Sequence, residues 1–259
     1  MLAPVSWRLK LFSKNPASAW YAIKRRLYNA LTLLLPGNNV RCNICNWEGH
    51  RFFSVAGVSY IRYNAVCPKC GSVERNRALT KYLENRGSFG NRRLRCLEIG
   101  PFKGSRTYFE SRNCDYISID IDSELATEKM DVTHLGFPVD FFEMIICSHV
   151  LEHVDDDLQA MRELYRVLRN EGNCFIMVPF NRHRTDTIEY KEPNPLDPLH
   201  LRYYGMDIID RLKSTGFNVS MLNLVAEISE SDIKQYGLSV EEFCFVCVKN
   251  NLVQPDKRS

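Results

Sequence analysis

The chain has 259 residues, and its 45 % hydrophobic content is that of a globular core. Its 34 basic and 31 acidic residues leave a net charge of +3, a weaker basic excess than dedicated nucleic-acid-binding proteins usually carry. Ten cysteines are too few for a disulfide scaffold of this length. We therefore expect one main domain with a small accessory module, in a reducing, cytoplasmic compartment.

Residues 1–36 form a basic amphipathic segment, with a helix predicted over 19–35. Five apolar residues recur there at helical spacing: Trp20, Ile23, Leu27, Leu31 and Leu34. The longest uncharged apolar run, 27–35, is too short to span a bilayer, and the segment lacks the cleavage site of a signal peptide. Two interpretations stay open: the helix lies on an anionic membrane surface, or it packs on this protein's own surface or on a second subunit.

Residues 37–88 begin at a breaker cluster and contain two CxxC pairs. Cys42 and Cys45 form the first pair, and Cys67 and Cys70 form the second, with 21 residues between the pairs. Two such turns close a tetrahedral four-thiolate site suited to zinc, and a site with no open position is structural. The apolar residues between the pairs predict the short strands of a zinc ribbon. The alternatives are a ribbon that grips substrate or nucleic acid, and four reduced cysteines without metal.

A helix is predicted over 72–86, which couples the ribbon to the domain that follows. Its apolar side carries Val73, Leu79, Tyr82 and Leu83. The charged residues of this helix are expected to be mainly solvated: Glu74, Arg75, Arg77, Lys81 and Glu84.

The stretch 94–104, LRCLEIGPFKG, predicts a strand, a tight turn and the start of a helix near Ser105. A second strand ends in Asp120, twenty residues after Gly100. In an open α/β sheet, ligands bind beyond the carboxyl ends of the strands, where a carboxylate can accept both hydroxyls of a ribose. The stretch therefore predicts a nucleoside-containing cofactor. The dinucleotide fingerprint requires glycine where this chain has Phe102 and Ser105, which argues against NAD or FAD.

Strands and helices alternate through residues 89–259, which predicts a mostly parallel, doubly wound sheet. The predicted strands cover 94–99, 115–119, 141–147, 174–178, 217–224 and 243–248, with a short strand ending near 130–132. The predicted helices cover 105–111, 155–168 and 206–214, and a turn is predicted at 171–173. Cys244 and Cys247 form a third CxxC, but they lie in an apolar strand whose alternation points them to opposite faces, so they are predicted to be core thiols.

The spacing of Glu98, Gly100 and Gly104 resembles motif I of class I S-adenosylmethionine-dependent methyltransferases, with Phe102 where the family usually has glycine. The Leu-Glu-His triplet 151–153 and the Arg-Val-Leu stretch 166–168 are similar to the broad small-molecule, type 11-like group. Gly172 and the Val-Pro pair at 178–179 extend this likeness, which covers about residues 90–250. The CxxC pairs, the stretch 71–75 and the stretch 236–238 look like a bacterial subgroup with a zinc ribbon ahead of the methyltransferase.

This resemblance implies a seven-stranded, Rossmann-like methyltransferase sheet that binds S-adenosylmethionine. It places Glu98 near the methionine amino group, Asp120 at the ribose, and Asp131 with Val132 at the adenine. The implied cofactor residues are Glu98, Gly100, Phe102, Gly104, Asp120, Ile121, Asp131, Val132 and Ser148.

The enzyme has to align the acceptor and take its proton, because the methyl group is already activated on the sulfonium. The proline-containing connection 180–204 is long enough to form a lid, and its His200 is the first candidate base, with His153 the second. For both, the alternative is a packing role. On a helix, His149, Glu152 and His153 would share one face, and with His200 they could bind a divalent metal. This set is similar to a cluster in ubiquinone-pathway O-methyltransferases and small-RNA 3′-end methyltransferases.

The expected activity is methylation of an oxygen or nitrogen atom of a small molecule, such as a sugar or secondary metabolite. One alternative is RNA methylation with the ribbon gripping RNA, against which the near-neutral charge counts. Another is a catalytically inactive cofactor-binding scaffold, suggested by Phe102 in place of glycine. The sequence does not indicate an oligomeric state.

Overall fold

The computed structural model describes residues 16–56, 60–90, 92–192 and 199–249. The first fifteen residues of the N-terminal segment and the prolines 193, 195 and 198 of the predicted lid lie outside these ranges.

Helix α1 (Pro16–Leu34) contacts the rest of the protein through a polar face. The carboxamide oxygen of Asn29 accepts hydrogen bonds from the Ser54 backbone N–H, at 2.8 Å, and from the Ser54 hydroxyl, at 3.0 Å. The predicted apolar stripe faces the other way: Trp20, Ile23, Leu27, Leu31 and Leu34 are 51–76 % exposed. The interpretation that this stripe packs on the protein's own described surface is therefore wrong, because polar contacts to the neighbouring strand orient the helix. Within the described ranges, no helix is both long and apolar enough to cross a membrane.

Two short hairpins surround the four cysteines. Strands β1 (Val40–Arg41) and β2 (Glu48–Gly49) pair across the first CxxC turn, and β3 (Phe53–Ala56) pairs with β4 (Ile61–Val66) before the second. Both CxxC turns are closed by a backbone hydrogen bond of 2.9 Å, from Asn46 to Cys42 and from Gly71 to Cys67. Helix α2 (Glu74–Asn85) begins directly after the second turn.

The main sheet has seven strands in the spatial order β12-β13-β9-β8-β5-β6-β7, which confirms the doubly wound, mostly parallel architecture. In chain order these strands are β5 (Leu94–Ile99), β6 (Cys114–Asp120), β7 (Glu128–Lys129), β8 (Phe142–Ser148), β9 (Leu168–Met177), β12 (Asn218–Asn223) and β13 (Phe243–Val248). Strands β5 to β9 pair in parallel, whereas β13 pairs antiparallel with both β9 and β12. The chain winds outward from β5 to β7 and then crosses to β8, so the topological switch point lies between β5 and β8.

The remaining elements flank this sheet. The helices are α3 (Ser105–Glu110), α4 (Asp157–Val167), α5 (Ile208–Ser214) and α6 (Glu230–Gln235). A 3₁₀ turn covers Leu151–His153, and two-residue strands β10 (Ile188–Glu189) and β11 (Arg202–Tyr203) pair with each other. Helix α4 starts where the side chain of Asp156 accepts the backbone N–H of Gln159 at 2.8 Å, an N-cap hydrogen bond.

The turn predicted at 171–173 is wrong, because β9 runs without a break from Leu168 to Met177. Glu171 adopts a left-handed backbone conformation, with φ +61°, and the pairing of β8 with β9 shifts between Phe142 and Met144. The residues predicted to form a turn therefore form a bulge-like irregularity within β9.

Two hydrophobic cores lie on the two faces of the sheet, and the four-cysteine segment, the predicted ribbon, belongs to one of them. That core joins Phe52 and Cys70 of the ribbon to Leu83 of α2 and Ile146 of β8. Cys244 lies in this core and Cys247 in the other, which confirms their predicted placement on opposite faces. Ribbon, α2 and sheet thus share one interior.

The expectation that the charged residues of α2 are mainly solvated is wrong for Glu74 and Arg77. Glu74 is 9 % exposed and Arg77 is fully buried. The Arg77 guanidinium donates to four backbone carbonyls, those of Ser72, Ala65, Tyr236 and Gly237, at 2.7–3.0 Å. A charged side chain tolerates this position because the surrounding carbonyls replace water.

Candidate active site

A cavity of about 730 Å³ opens at the carboxyl ends of β5, β6 and β8, at the switch point of the sheet. Seven of the predicted site residues line it: Gly100, Asp120, Ile121, Asp131, Val132, Ser148 and His153. The structure therefore brings most of the predicted cofactor residues, from four separate segments, to one place.

Gly100 forms the turn after β5 with φ +73°, a conformation that favours glycine. A side chain there would also lie 3.2 Å from the Val150 side chain, so the close approach of backbone to cavity depends on glycine. This turn therefore brings the backbone up to the cavity wall.

Two carboxylates on one side of the cavity are held by their own loops. Asp120 Oδ1 accepts the backbone N–H groups of Asp122 and Ser123, both at 2.9 Å. Asp131 Oδ1 accepts the backbone N–H and the hydroxyl of Thr133, both at 2.8 Å. In each carboxylate only Oδ1 is engaged in these bonds, so Oδ2 can accept hydroxyl or amino groups of a nucleoside. The 64 % exposed Ile121 adds apolar surface to the same wall.

Three predicted cofactor residues do not line this cavity: Glu98, Phe102 and Gly104. Glu98 lies in β5 on the face opposite Leu97 and Ile99, because side chains alternate along a strand. It accepts a hydrogen bond from the Tyr116 hydroxyl at 2.5 Å, and burial raises the pKa of its carboxyl to about 7.

Gly104 contacts the ribbon instead. A Cβ atom at Gly104 would lie 2.6 Å from the Cβ of Cys70 and 3.2 Å from the Phe102 ring. Glycine is therefore required here for packing of the turn after β5 against the second CxxC turn.

The candidate bases stand together at one end of the cavity. His153 lines the cavity, and its ring centroid lies 4.9 Å from that of His200. Glu152, His153 and His200 each offer a ligand atom within 4.8 Å of the others. Glu152 is fully buried, and neither of its carboxylate oxygens has a hydrogen-bond partner among the described residues.

His149 joins this group by a different geometry from the predicted helix. Its backbone is left-handed, with φ 55°, and it precedes the 3₁₀ turn 151–153, so the expectation of one shared helical face is wrong. Its Nδ1 nevertheless lies 3.2 Å from Glu152 Oε1. His149, Glu152 and His153 come together because the chain turns sharply at the end of β8. The backbone hydrogen bond from Leu201 to the Glu152 carbonyl, at 2.8 Å, brings His200 to the same place.

The four predicted zinc ligands also converge. The sulfur atoms of Cys42 and Cys70 lie 3.6 Å apart, as do those of Cys45 and Cys67, and all four lie within 4.8 Å of one another. Four thiolates held at about 2.3 Å around a tetrahedral zinc ion would stand about 3.8 Å apart. The donor set and its spacing fit zinc.

Sequence reasoning missed two charged residues that line cavities. Arg75 of α2 lines the large cavity and also a smaller one of about 250 Å³, which His149 shares. Glu242 lines the smaller cavity, and burial raises the pKa of its carboxyl to about 7. The local sequence around both residues is that of a solvated surface, so only the folded arrangement reveals them.

Residues 97–176 match a family model described as "Methyltransferase domain". An uncharacterised protein of Methanocaldococcus jannaschii is 38 % identical over 48 residues, which are 18 % of this chain and 21 % of that protein. The chain thus spans about a fifth of the curated relative that it matches.

Three solved structures are similar to part of this chain at low sequence identity. The [4+2]-cyclase SpnF superposes with a TM-score of 0.49 at 11 % identity, covering 67 % of this chain and 81 % of its own. A SAM-dependent methyltransferase from Archaeoglobus fulgidus superposes with a TM-score of 0.47 at 16 % identity, covering 68 % of this chain and 94 % of its own. The 1,6-didemethyltoxoflavin-N1-methyltransferase of Burkholderia thailandensis superposes with a TM-score of 0.45 at 13 % identity, covering 69 % of this chain and 79 % of its own.

Proposed function

We propose that this chain, whose residues 97–176 match a methyltransferase domain, transfers the methyl group of S-adenosylmethionine to an oxygen or nitrogen atom of a small molecule. The observation that carries this proposal is the cavity at the switch point. Gly100, Asp120 and Asp131 stand at or just beyond the carboxyl ends of β5, β6 and β7, and all three line this cavity. A sugar or a secondary metabolite is the acceptor class we expect.

The residues present fit the cofactor. Asp120 would accept the ribose hydroxyls through Oδ2, and Asp131 with Val132 would face the adenine. Gly100 leaves room for the chain that joins the ribose to the methionine. When bound, the cofactor supplies a methyl group already activated on sulfonium, so the protein needs to align the acceptor and accept its proton.

His153 is the best-placed proton acceptor that the sequence suggested. It lines the cavity, and its Nδ1 lies 3.0 Å from the carbonyl oxygen of Leu199. If Nδ1 donates to that carbonyl, Nε2 is left as the basic atom. The His200 ring packs beside the His153 ring and would hold it in place. We therefore rank His153 ahead of His200 as the candidate base. Glu242, in the adjoining smaller cavity, is a further group with a pKa suited to accept a proton near neutral pH.

We further propose that the four cysteines hold a structural zinc ion and that Glu152, His153 and His200 hold a divalent cation. The buried Glu152 carboxylate supports the second site. Neither of its oxygens has a well-aligned hydrogen bond among the described residues, and the nearest ring nitrogen is Nδ1 of His149 at 3.2 Å. A buried charge in such surroundings is costly unless a cation accompanies it. A cation there would orient an acceptor hydroxyl and lower its pKa. In that case Glu242 would be the remaining proton acceptor.

The exposed stripe of α1 is proposed to lie on an anionic membrane surface, with the protein in the cytoplasm. Helix α1 carries Lys24, Arg25 and Arg26 and no acidic residue, so its charge complements anionic headgroups. The alternative acceptor, RNA, would show itself as salt-sensitive RNA binding. An inactive scaffold would bind cofactor without turning over any acceptor.

Calorimetric titration of the zinc-loaded protein with S-adenosylhomocysteine tests the cofactor site. Asp120→Ala removes both carboxylate oxygens, and we expect affinity to fall tenfold or more, about 1.4 kcal/mol. Asp122→Ala is the matched control, because this exposed neighbour contributes only its backbone N–H to the loop. Absence of binding by the unmodified protein would overturn the proposal and leave the domain without its cofactor.

A further inference from the structure

The carboxyl-terminal part of the predicted lid is hydrogen-bonded to the turn that carries Glu152 and His153. The backbone N–H of Leu201 donates to the Glu152 carbonyl at 2.8 Å. The Nδ1 atom of His153 lies 3.0 Å from the carbonyl oxygen of Leu199, and because a carbonyl only accepts, Nδ1 is the donor. A 3₁₀ turn of three residues forms few hydrogen bonds of its own, so this turn depends on the neighbouring segment for its shape.

Arg202 makes the largest set of contacts between the two segments. It lies in β11 and is 4 % exposed. Its Nη1 donates to the carbonyls of Leu151, at 2.9 Å, and Val154, and its Nη2 donates to the carbonyl of Asp155 at 3.0 Å. The guanidinium therefore binds the backbone on both sides of the pair 152–153.

Two carboxylates fix the remaining edge of the Arg202 guanidinium. Its Nε lies 3.0 Å from Glu189 Oε2 and 3.7 Å from Asp157 Oδ2. Asp157 in turn accepts the Tyr204 hydroxyl at 2.8 Å and pairs with Arg211 at 3.1 Å. A planar guanidinium has enough donors for three carbonyls and a carboxylate at once, which an ammonium group does not. Arg202 cannot leave this position without leaving buried carbonyls unpaired, which is costly.

We propose that Arg202 is a positioning residue that holds the turn against the segment 199–202 and thereby selects the tautomer of His153. With Nδ1 protonated on the Leu199 carbonyl, Nε2 keeps its lone pair. This inference rests on the proposed function, in which His153 lines the cavity as a proton acceptor or a cation ligand. Both roles need the lone pair of Nε2, so both need the tautomer that this arrangement selects.

Nitrogen-15 NMR of the histidine rings tests the proposal without cofactor or acceptor. The full-length protein, labelled at its six histidines and carrying zinc at the four cysteines only, is measured under conditions that keep the imidazoles neutral. His153→Gln identifies the His153 signals by their loss. We expect one tautomer, protonated at Nδ1, in the unmodified protein and a mixture of both tautomers in Arg202→Gln. Arg202→Lys should give a smaller share of the second form, because one ammonium group replaces only part of the contacts.

Arg211→Gln is the matched control. The Arg211 guanidinium binds the same two carboxylates, those of Asp157 and Glu189, but among the described residues it donates to carboxylates only. We expect the single His153 tautomer to persist in this variant. Lysine fills much of the space of arginine, so Arg202→Lys keeps the test decisive if Arg202→Gln does not fold.

Two outcomes would overturn the proposal. A single Nδ1-protonated tautomer in the folded Arg202 variants would show that the turn holds His153 without this guanidinium. The same mixture in Arg211→Gln would show a general loosening of the network and would leave Arg202 a merely structural role. Titration with S-adenosylhomocysteine tests the proposed function separately, so its failure is distinguishable from a failure of the Arg202 assignment.

Discussion

Glu152 is a fully buried carboxylate beside His149 and His153, at one end of the cavity. Its carboxylate has no contact with solvent, and neither oxygen has a well-aligned hydrogen bond among the described residues. The ring nitrogens near it are Nδ1 of His149, at 3.2 Å, and Nε2 of His153, at 3.9 Å. A buried charge left in this state costs several kcal/mol, whereas a divalent cation ligated by carboxylate and imidazole removes that cost. The same side chains then serve binding and chemistry together.

We predict that the zinc-loaded protein binds Mn²⁺ and that Glu152→Gln weakens this binding at least tenfold, because the neutral amide is a poor ligand. Electron paramagnetic resonance of free Mn²⁺ measures the binding without an acceptor, and the four thiolates do not compete for this hard cation. His134→Gln, which lines the same cavity outside the cluster, should bind Mn²⁺ normally. Equal Mn²⁺ binding by the unmodified protein and Glu152→Gln would contradict the prediction.

Among the elements, helix α1 has a polar face that contacts the protein and an apolar face that is exposed to solvent. Asn29 and Ser54 attach its polar face to β3, while an apolar stripe at helical spacing is left in solvent. Lys24 lies over the Trp20 ring at 3.4 Å, so basic and aromatic groups are mixed at the edge of the stripe. Such a helix can rest on a membrane surface without crossing it.

We predict that the protein floats with vesicles of phosphatidylglycerol and not with phosphatidylcholine alone, since both apolar burial and anionic charge are needed. Replacing Leu27 and Leu31 by Glu should reduce the vesicle-bound fraction tenfold or more without affecting folding, as both side chains are exposed. Val139→Glu, at an equally exposed apolar site elsewhere, is the control. No flotation, together with dimerisation that the double variant abolishes, would assign the stripe to a second copy instead.

The molecule as a whole is held together across its modules by Arg77. Its guanidinium joins the carbonyls of Ala65 in the ribbon hairpin, Ser72 after the second CxxC turn, and Tyr236 and Gly237 beyond α6. Its plane also lies over the Phe52 ring at 4.0 Å. The Arg77 guanidinium thus connects segments that are far apart in the chain, next to the core that the ribbon and the sheet share.

We predict that Arg77→Ala lowers the free energy of unfolding by about 3 kcal/mol or more, because two buried and two half-buried carbonyls lose a charged donor. Lysine should not rescue the loss, since it cannot supply the same planar set of donors. Arg106→Ala, which removes an exposed ion pair with Glu110, should leave the free energy of unfolding nearly unchanged. Urea unfolding followed by tryptophan fluorescence and by circular dichroism should give coincident transitions; separate transitions would contradict a single core.

The sheet could be predicted because its signals are local: apolar strands, amphipathic helices and glycine turns follow one another in the chain. The cysteine pairs and the residues at strand ends were predictable for the same reason. Arg75, Arg77 and Gly104 were not, since each takes its role from a partner distant in sequence, namely Ser148, Tyr236 and Cys70. A charged residue on an amphipathic helix has the same local pattern whether it meets water or a buried carbonyl.

The contact between Gly104 and Cys70 leaves no room for even a methyl group. The ribbon is therefore not an interchangeable attachment that could be transplanted onto another methyltransferase domain. A domain with a bulkier residue at the position of Gly104 would push the second CxxC turn away and, with it, the helix that carries Arg75. The two parts of this protein can change only as a pair, so a successful chimera must exchange the ribbon together with the turn after β5.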